Sequence, residues 1–143
     1  TQDQVLATMD NILTILTFAG AGLGAISLLV GAVGITTILM ITVSERTAEV
    51  GLLRALGGTT NTVRTLFLGE ALVLGLIGGV CGIALVALFL LLVYLFVPGL
   101  PVALSPTIVF GALSLSMIIG LLAGGQPAAS AAKMTPIDAL RAE

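Results

Sequence analysis

Charged side chains are almost missing from this chain: only 8% of its residues are Asp, Glu, Lys or Arg, against roughly 25% in a typical soluble domain. Such a chain cannot cover a water-exposed surface with polar groups, and its mean hydropathy of +1.25 points the same way. The composition therefore excludes a soluble globular protein and indicates an integral membrane protein. With five basic and seven acidic residues in total, the position of each charge is more informative than the net charge of −2.

The residue types that carry most enzyme chemistry are also scarce. Histidine and tryptophan are absent, and the single cysteine, Cys81, lies within an apolar run, which excludes an intrachain disulfide and a metal-ligand cluster. The sequence contains no HExxH or GxSxG motif and no glycine-rich loop ending in Lys-Ser/Thr. We therefore expect no catalytic, cofactor-binding or metal-binding residue here, and the chain by itself is not predicted to be an enzyme. We also expect no nucleic-acid partner.

What the chain has instead is three long apolar segments. The charge-free runs Ile12–Val43 and Ala71–Val97 are each long enough to cross a bilayer as a helix. A third run opens at Ser105-Pro106, a cap followed by proline in the first helical turn, and extends to about Gly125. We predict an all-α, polytopic membrane protein that forms one domain over residues 1–143. Its transmembrane helices are expected at about 12–43, 71–97 and 105–125.

The first apolar run is longer than one span requires. At about 1.5 Å per residue it makes a helix of roughly 48 Å, against a hydrocarbon core of about 30 Å. Thr14 and Thr17 near its start suggest that the surplus projects beyond the membrane on the N-terminal side. Between the second and third runs, Pro98-Gly99-Leu100-Pro101 predicts a tight turn.

The basic residues predict the orientation in the membrane. Three of them lie between the first and second runs and two follow the third, whereas the N-terminal segment and the turn at 97–105 contain none. The positive-inside rule then places loop 44–70 and tail 126–143 in the cytoplasm and the N-terminus outside. Because we see no signal peptide, an outside N-terminus leads us to expect a further transmembrane helix upstream. Thr135-Pro136 predicts a short terminal helix over Ile137–Arg141 in the tail.

The charged stretch Ser44–Gly58 stands between the first two spans. On a helical wheel, one arc is suited to lying against lipid or the bundle, and it contains Ala48, Leu52, Ala55 and Leu56. The opposite arc mixes apolar with charged groups, a composition typical of a protein contact, and it contains Arg46, Glu49, Val50, Leu53 and Arg54. An ordinary solvated loop helix is the alternative, and the wheel alone does not choose between them. Gly57-Gly58 predicts the end of this helix, and Thr59, Thr60 or Asn61 the cap of the next.

Small residues recur at the spacing that allows close helix approach in lipid. These glycine pairs are Gly20 with Gly24, Gly75 with Gly79, and Gly78 with Gly82. In a chain with 18 glycines some such pairs arise by chance, so each pair indicates either a helix contact or a coincidence.

The charged stretch also carries a resemblance to a known family. Residues Glu45–Gly57 fit the pattern E-R-T-x-E-[IV]-G-x-x-x-A-[LIV]-G, and the similarity continues through Phe67–Ala71, the glycine-rich second span and Pro127–Arg141. Over most of residues 25–143 the chain resembles the FtsX-like permease domain of the MacB family of ABC transporters. The resemblance implies a four-helix permease of the bacterial cytoplasmic (inner) membrane, whose first helix and large extracytoplasmic domain precede this segment. The overlong first run would then form a stalk.

The resemblance further implies that the loop after the first span is a coupling element seated on a nucleotide-binding ATPase. Two permease copies, identical or different, would work with two ATPase domains that bind ATP and magnesium. The residues expected at the ATPase contact are Glu45, Arg46, Glu49, Val50, Leu53, Arg54 and Gly57. The expected function is to couple ATP hydrolysis to export or to force transmission across the membrane. The alternative is a small structural or regulatory membrane subunit without an ATPase partner, which would not co-purify with a nucleotide-binding protein.

Overall fold

Four helices make up the part of the protein that the computed structural model describes, residues 2–96 and 104–134. They are α1 (Gln2–Glu45), α2 (Thr47–Ala55), α3 (Thr60–Phe96) and α4 (Pro106–Lys133). Neither described range contains a strand, so the all-α prediction is confirmed. The predicted turn at 98–101 and the predicted terminal helix at 137–141 lie outside the described residues.

Three of these helices are long and apolar enough to cross a membrane, as the sequence predicted: α1, α3 and α4. The α4 helix begins at Pro106, with Ser105 in an extended conformation before it, which confirms the predicted start. The helix continues past Gly125, the predicted end of the span, to Lys133. The polar tail was predicted to begin at residue 126, but the alanine-rich sequence there favours helix and packs into the bundle.

The α1 helix extends far beyond the helices that it packs against. Its 44 residues correspond to about 66 Å, roughly twice the thickness of a hydrocarbon core. Every residue from Gln2 to Gly31 is exposed, and burial begins only with Ala32 and becomes complete at Leu39 and Val43. The surplus length is thus N-terminal to the packed part, on the side where the sequence predicted it.

The α3 and α4 helices meet along a seam of small residues. A Cβ atom built on Gly75 would lie 2.8 Å from the Ser116 carbonyl oxygen, and one built on Gly120 would lie 2.8 Å from the Ala71 carbonyl oxygen. Gly79 continues the seam, where an added Cβ would lie 3.0 Å from Cβ of Ser116. The Ser116 hydroxyl donates a 2.6 Å hydrogen bond to the Gly75 carbonyl across this seam. Only glycine permits this backbone approach.

Within residues 2–96 and 104–134, the other predicted glycine pairs do not lie at a helix contact. Added Cβ atoms at Gly20 and Gly24 would meet nothing within 4 Å, and the same holds for Gly78 and Gly82. Gly78 and Gly82 instead line an open apolar cleft between α3 and α4, which Leu28 of α1 also borders.

All four helices converge in one buried cluster at the end of the bundle that carries the charged stretch. The cluster takes residues from α1, α2, α3 and α4, namely Val43, Val50, Val63, Phe67, Ala128 and Ala131. Leu53, Leu68 and Met134 pack around it. The short α2 helix is therefore fixed to all three long helices rather than suspended between two of them.

Arg54 ties the same region together by hydrogen bonds. Its Nη1 atom donates to the Ala132 carbonyl oxygen at 2.8 Å and to Oγ1 of Thr60 at 3.0 Å. The Ala132 carbonyl belongs to the last turn of α4, where no backbone N–H of the helix is available. One guanidinium thus joins the end of α2, the start of α3 and the end of α4.

The α3–α4 seam makes two alanine substitutions informative as a pair. We expect Gly75→Ala to lower the free energy of unfolding by about 1–3 kcal/mol, because the new methyl group must displace the Ser116 backbone. Gly78→Ala, on the same helix but in open space, is the control and should leave stability unchanged or slightly raised. Thermal unfolding of the purified protein in detergent measures both. Equal changes in the unfolding temperature of the two variants would contradict close packing at Gly75.

A second pair of variants tests the hydrogen bonds of Arg54. Arg54→Met keeps an unbranched apolar stem but leaves the Ala132 carbonyl without its donor, so we expect a loss of about 1–2 kcal/mol in the free energy of unfolding. The control is Arg64→Met, which removes the same charge from an exposed position of α3. If the two variants unfold at the same temperature, the hydrogen bonds of Arg54 add nothing to stability beyond the effect of its charge.

Candidate functional site

The α2 helix follows α1 after a single non-helical residue. Arg46 has φ −102° and ψ 21°, and the hydrogen-bonding pattern runs through it. Its N–H donates to the Thr42 carbonyl at 3.0 Å, and its own carbonyl accepts from the Val50 N–H at 3.1 Å. The charged stretch is therefore connected to α1 by helical hydrogen bonds, with one residue at which the chain departs from the helix.

The other end of α2 is closed by the double glycine. Gly57 has a φ of +92°, and the N–H groups of Gly57 and Gly58 donate to the carbonyls of Arg54 (3.1 Å) and Leu53 (2.9 Å). This is the Schellman arrangement, which favours glycine at the position with positive φ. Thr59 then caps α3, since its Oγ1 atom accepts from the Thr62 N–H at 3.2 Å. The predicted helix end and threonine cap are both confirmed.

The two faces of α2 are oriented by the buried cluster. Val50 is only 6% exposed and Gly51 is buried, whereas Leu52 and Leu56 are 62% and 78% exposed. The wheel had assigned the arc that contains Leu52 and Leu56 to lipid or the bundle, and the structure shows that this arc does not lie against the bundle. A wheel orders residues around an axis without fixing which arc faces inward. Here the inward arc is chosen by Val50, which fits between Val43 and Val63.

A groove lies between α2 and the first turns of α3. It encloses about 220 Å³ and is lined by Arg46, Glu49, Val50 and Leu53 from α2, and by Val63, Leu66 and Phe67 from α3. Its floor is apolar, formed by buried Val50, Val63 and Phe67. Its rim is formed by exposed residues, namely Arg46, Glu49 and Leu66. We call this site the α2–α3 groove.

Four of the seven residues predicted at the ATPase contact therefore line one groove: Arg46, Glu49, Val50 and Leu53. The other three lie elsewhere on α2 and its flanks. Glu45 is exposed at the last position of α1. Gly57 is exposed in the turn after α2, and the Arg54 guanidinium is bonded to α3 and α4.

The contribution of α3 to the groove was not predicted as part of the site. Val63, Leu66 and Phe67 follow one another at helical spacing directly after the predicted cap, and that spacing was the available signal. Their residue types are those of an ordinary helix interior, so only the position of α2 beside them reveals a groove.

The lining of the groove combines apolar and charged groups. Its floor offers apolar contact for a side chain, and its rim offers one positive and one negative group. Among residues 2–96 and 104–134, no group of three His, Cys, Asp or Glu could hold a metal ion. An apolar floor with a charged rim is the arrangement found in protein–protein contacts.

Comparison with known proteins assigns most of the chain to one family. The family model described as "FtsX-like permease C-terminal" matches residues 21–136. The chain is 38% identical over 143 residues to macrolide export ATP-binding/permease protein MacB 1 of Yersinia pestis bv. Antiqua, covering 100% of this chain and 21% of that protein.

Two further relatives are described as uncharacterized ABC transporter permeases. YknZ of Bacillus subtilis is 39% identical over 141 residues, covering 99% of this chain and 35% of that protein. MJ1507 of Methanocaldococcus jannaschii is 36% identical over 151 residues, covering 100% of this chain and 37% of that protein. The chain thus spans between about a fifth and two-fifths of the length of these relatives.

The family match covers most of the chain, and the three candidate spans agree with the inner-membrane location of FtsX-like permeases. This protein belongs to the FtsX-like permease family, whose C-terminal domain it contains.

Proposed function

We propose that this chain is the membrane-spanning C-terminal part of an ABC transporter permease, and that the α2–α3 groove binds a cytoplasmic nucleotide-binding ATPase. The ATPase would hydrolyse ATP with magnesium, and this chain would transmit the resulting motion through the membrane for export or force transmission. The observation that carries the proposal is the groove itself, which combines an apolar floor and a charged rim with a direct attachment to every long helix. A relative named as an ATP-binding/permease protein supports an ATPase partner.

The floor of the groove is part of the buried cluster, and this gives the groove a mechanical role. Val50, Val63 and Phe67 line the groove and also pack in the buried cluster with Val43 of α1 and Ala128 of α4. Close-packed side chains are poorly compressible. A partner that moves α2 would therefore displace the ends of all three long helices together.

The orientation that this function needs is supported by the positions of the basic residues. Arg54 is bonded to the last turn of α4, which carries Lys133. Arg46 immediately precedes α2, and Arg64 follows Val63, a residue of the same cluster. The four basic residues of the described ranges thus share one end of the bundle. We propose that this end is cytoplasmic, that the α3–α4 connection is outside, and that a second permease copy and an upstream helix with an extracytoplasmic domain complete the transporter.

Cysteine labelling tests this orientation. In a Cys81→Ala background, we expect a membrane-impermeant maleimide to label Ser105→Cys in right-side-out vesicles and Thr62→Cys only in inside-out vesicles. Both positions are exposed and lie at opposite ends of the long helices. The reverse pattern would place the groove outside, where no ATP-hydrolysing partner could use it.

A substitution at the rim tests the groove without disturbing the cluster. Val50→Asp would bury a charge and disrupt the fold, but Leu66 is 52% exposed, so Leu66→Asp should preserve it. Loss of one buried leucine contact is worth about 1.5–3 kcal/mol, which corresponds to roughly tenfold to a hundredfold weaker binding of the ATPase. In the complete transporter, we expect ATP hydrolysis to lose its dependence on the permease, and a separate ATPase subunit to stop co-purifying.

The matched control is Thr65→Asp, which adds the same charge at the neighbouring exposed residue, outside the groove. It should bind the ATPase as the unmodified protein does. If Leu66→Asp behaves like this control, the ATPase does not bind in the groove. If no nucleotide-binding protein accompanies even the unmodified chain, the alternative of a structural or regulatory membrane subunit is favoured.

A further inference from the structure

Pro127 interrupts the backbone hydrogen bonds of α4 at a buried position. It lies inside the helix, is among the most deeply buried side chains, and is followed by Ala128, which is 0% exposed. In an α-helix the carbonyl of residue 123 would accept from the N–H of residue 127, but proline has no N–H. The Ala123 carbonyl has therefore lost its helical donor within an apolar bundle, where a backbone oxygen without a partner is costly.

A side chain from another helix takes the place of the missing donor. The hydroxyl of Thr36 on α1 donates to the Ala123 carbonyl oxygen at 3.0 Å. The same hydroxyl lies 3.0 Å from the Ala32 carbonyl of its own helix. Because a threonine hydroxyl carries one proton, it has two acceptors at equal distance, one on α4 and one on α1.

The surroundings make this hydrogen bond a specific connection between the two helices. One turn further along α1, Leu39 is 0% exposed and approaches α4 closely, since a Cβ built on Gly124 would lie 3.3 Å from its Cδ1. Ala123 is only 9% exposed, so water has little access to replace the hydroxyl. On the N-terminal side of Thr36, the α1 helix soon loses contact with the bundle, and all residues before Ala32 are exposed.

We propose that Thr36 and Pro127 form a latch between α1 and α4, with Thr36 as a positioning residue. In the conformation described here, the Thr36 hydroxyl is bonded to the Ala123 carbonyl and holds α1 against α4. When the two helices separate, the hydroxyl bonds to Ala32 within its own helix, and the Ala123 carbonyl loses its donor. Only the closed arrangement gives the Ala123 carbonyl a donor, because Pro127 has no N–H, and the closed arrangement is therefore favoured. The role of this latch in transport rests on the proposed function, whereas the latch itself does not.

The latch makes a prediction that an ordinary packing contact would not make. Thr36→Val removes the donor at nearly constant volume, and Thr36→Ser retains it. Pro127→Ala supplies an N–H to the Ala123 carbonyl, which makes the Thr36 hydroxyl dispensable. The control is Thr37→Val on the same turn of α1, because the Thr37 hydroxyl is exposed and donates to Val33 of its own helix at 2.8 Å.

The experiment is hydrogen–deuterium exchange of the backbone around Ala128–Ala132, measured by mass spectrometry on the complete transporter in lipid nanodiscs without nucleotide. Interhelical hydrogen bonds in membranes contribute amounts equivalent to roughly a three- to tenfold change in an equilibrium. We expect Thr36→Val to accelerate exchange by this factor, and Thr36→Ser and Thr37→Val to leave it unchanged. In the Pro127→Ala background, Thr36→Val should have no effect.

Two results would overturn the latch. One is exchange in Thr36→Val that matches the Thr37→Val control, and the other is an effect of Thr36→Val that persists in full when Pro127 is alanine. Its role in coupling is tested separately, by ATP hydrolysis of the same samples. If exchange changes as expected while the rate of ATP hydrolysis is unaltered in every variant, the latch does not take part in coupling. Because Leu66→Asp tests the groove independently, failure of the latch and failure of the proposed function give different results.

Discussion

The constraint on which this structure depends is that burial against another helix gives apolar side chains little advantage in lipid, because the surrounding hydrocarbon is equally apolar. Helix association then requires close backbone approach and hydrogen bonds. Both are present here and both involve main-chain carbonyls. Gly75 and Gly120 bring the backbones of α3 and α4 together. Among the described residues, three side chains donate from one helix to a backbone carbonyl of another: Ser116 to Gly75, Thr36 to Ala123 and Arg54 to Ala132.

These contacts divide the bundle into parts of different rigidity. The α3–α4 seam leaves no room for even a methyl group at Gly75 or Gly120, so this pair behaves as one unit. Among the described residues, the buried part of α1 lies in its last third, where Thr36, Leu39 and Val43 contact that unit. The joint between α1 and the α3–α4 pair is therefore where relative motion needs the fewest changes in packing, and Thr36 lies within this joint.

The sequence predicted the elements better than their contacts. Three spans, the glycine stop at Gly57 and the start of α4 at Pro106 depend on local composition and local hydrogen bonding, so they could be read directly. The three glycine pairs share the same spacing, and only their neighbours distinguish Gly75 from Gly78. Those neighbours come from a helix about forty residues away, as the bond between Ser116 and Gly75 shows. The periodicity of a sequence contains no information on which glycine will pack against another helix.

Contacts between residues distant in sequence also determine the candidate site, so the sequence predicted it only in part. The wheel placed the α2 residues of the groove on one arc, but α3 supplies the rest of the lining, and which arc faces inward depends on the whole cluster. Arg54 shows the difference most clearly: its charge suggested a partner contact, yet its guanidinium is bonded to the end of α4. In a chain with so few charges, a basic group near a helix end finds free carbonyls close by.

Only a few packed side chains separate the groove from the latch. Phe67 forms part of the groove floor and packs in the cluster with Ala128 and Ala131, and Ala128 directly follows Pro127. A series of packed side chains is not sufficient for coupling, because coupling also needs an element with two discrete arrangements that both sites can bias. The Thr36 hydroxyl, with acceptors at 3.0 Å on its own helix and on α4, is the element that we propose for this role. A partner acting on the groove would shift the end of α4, and through the Ala123 carbonyl it would change which acceptor the hydroxyl uses.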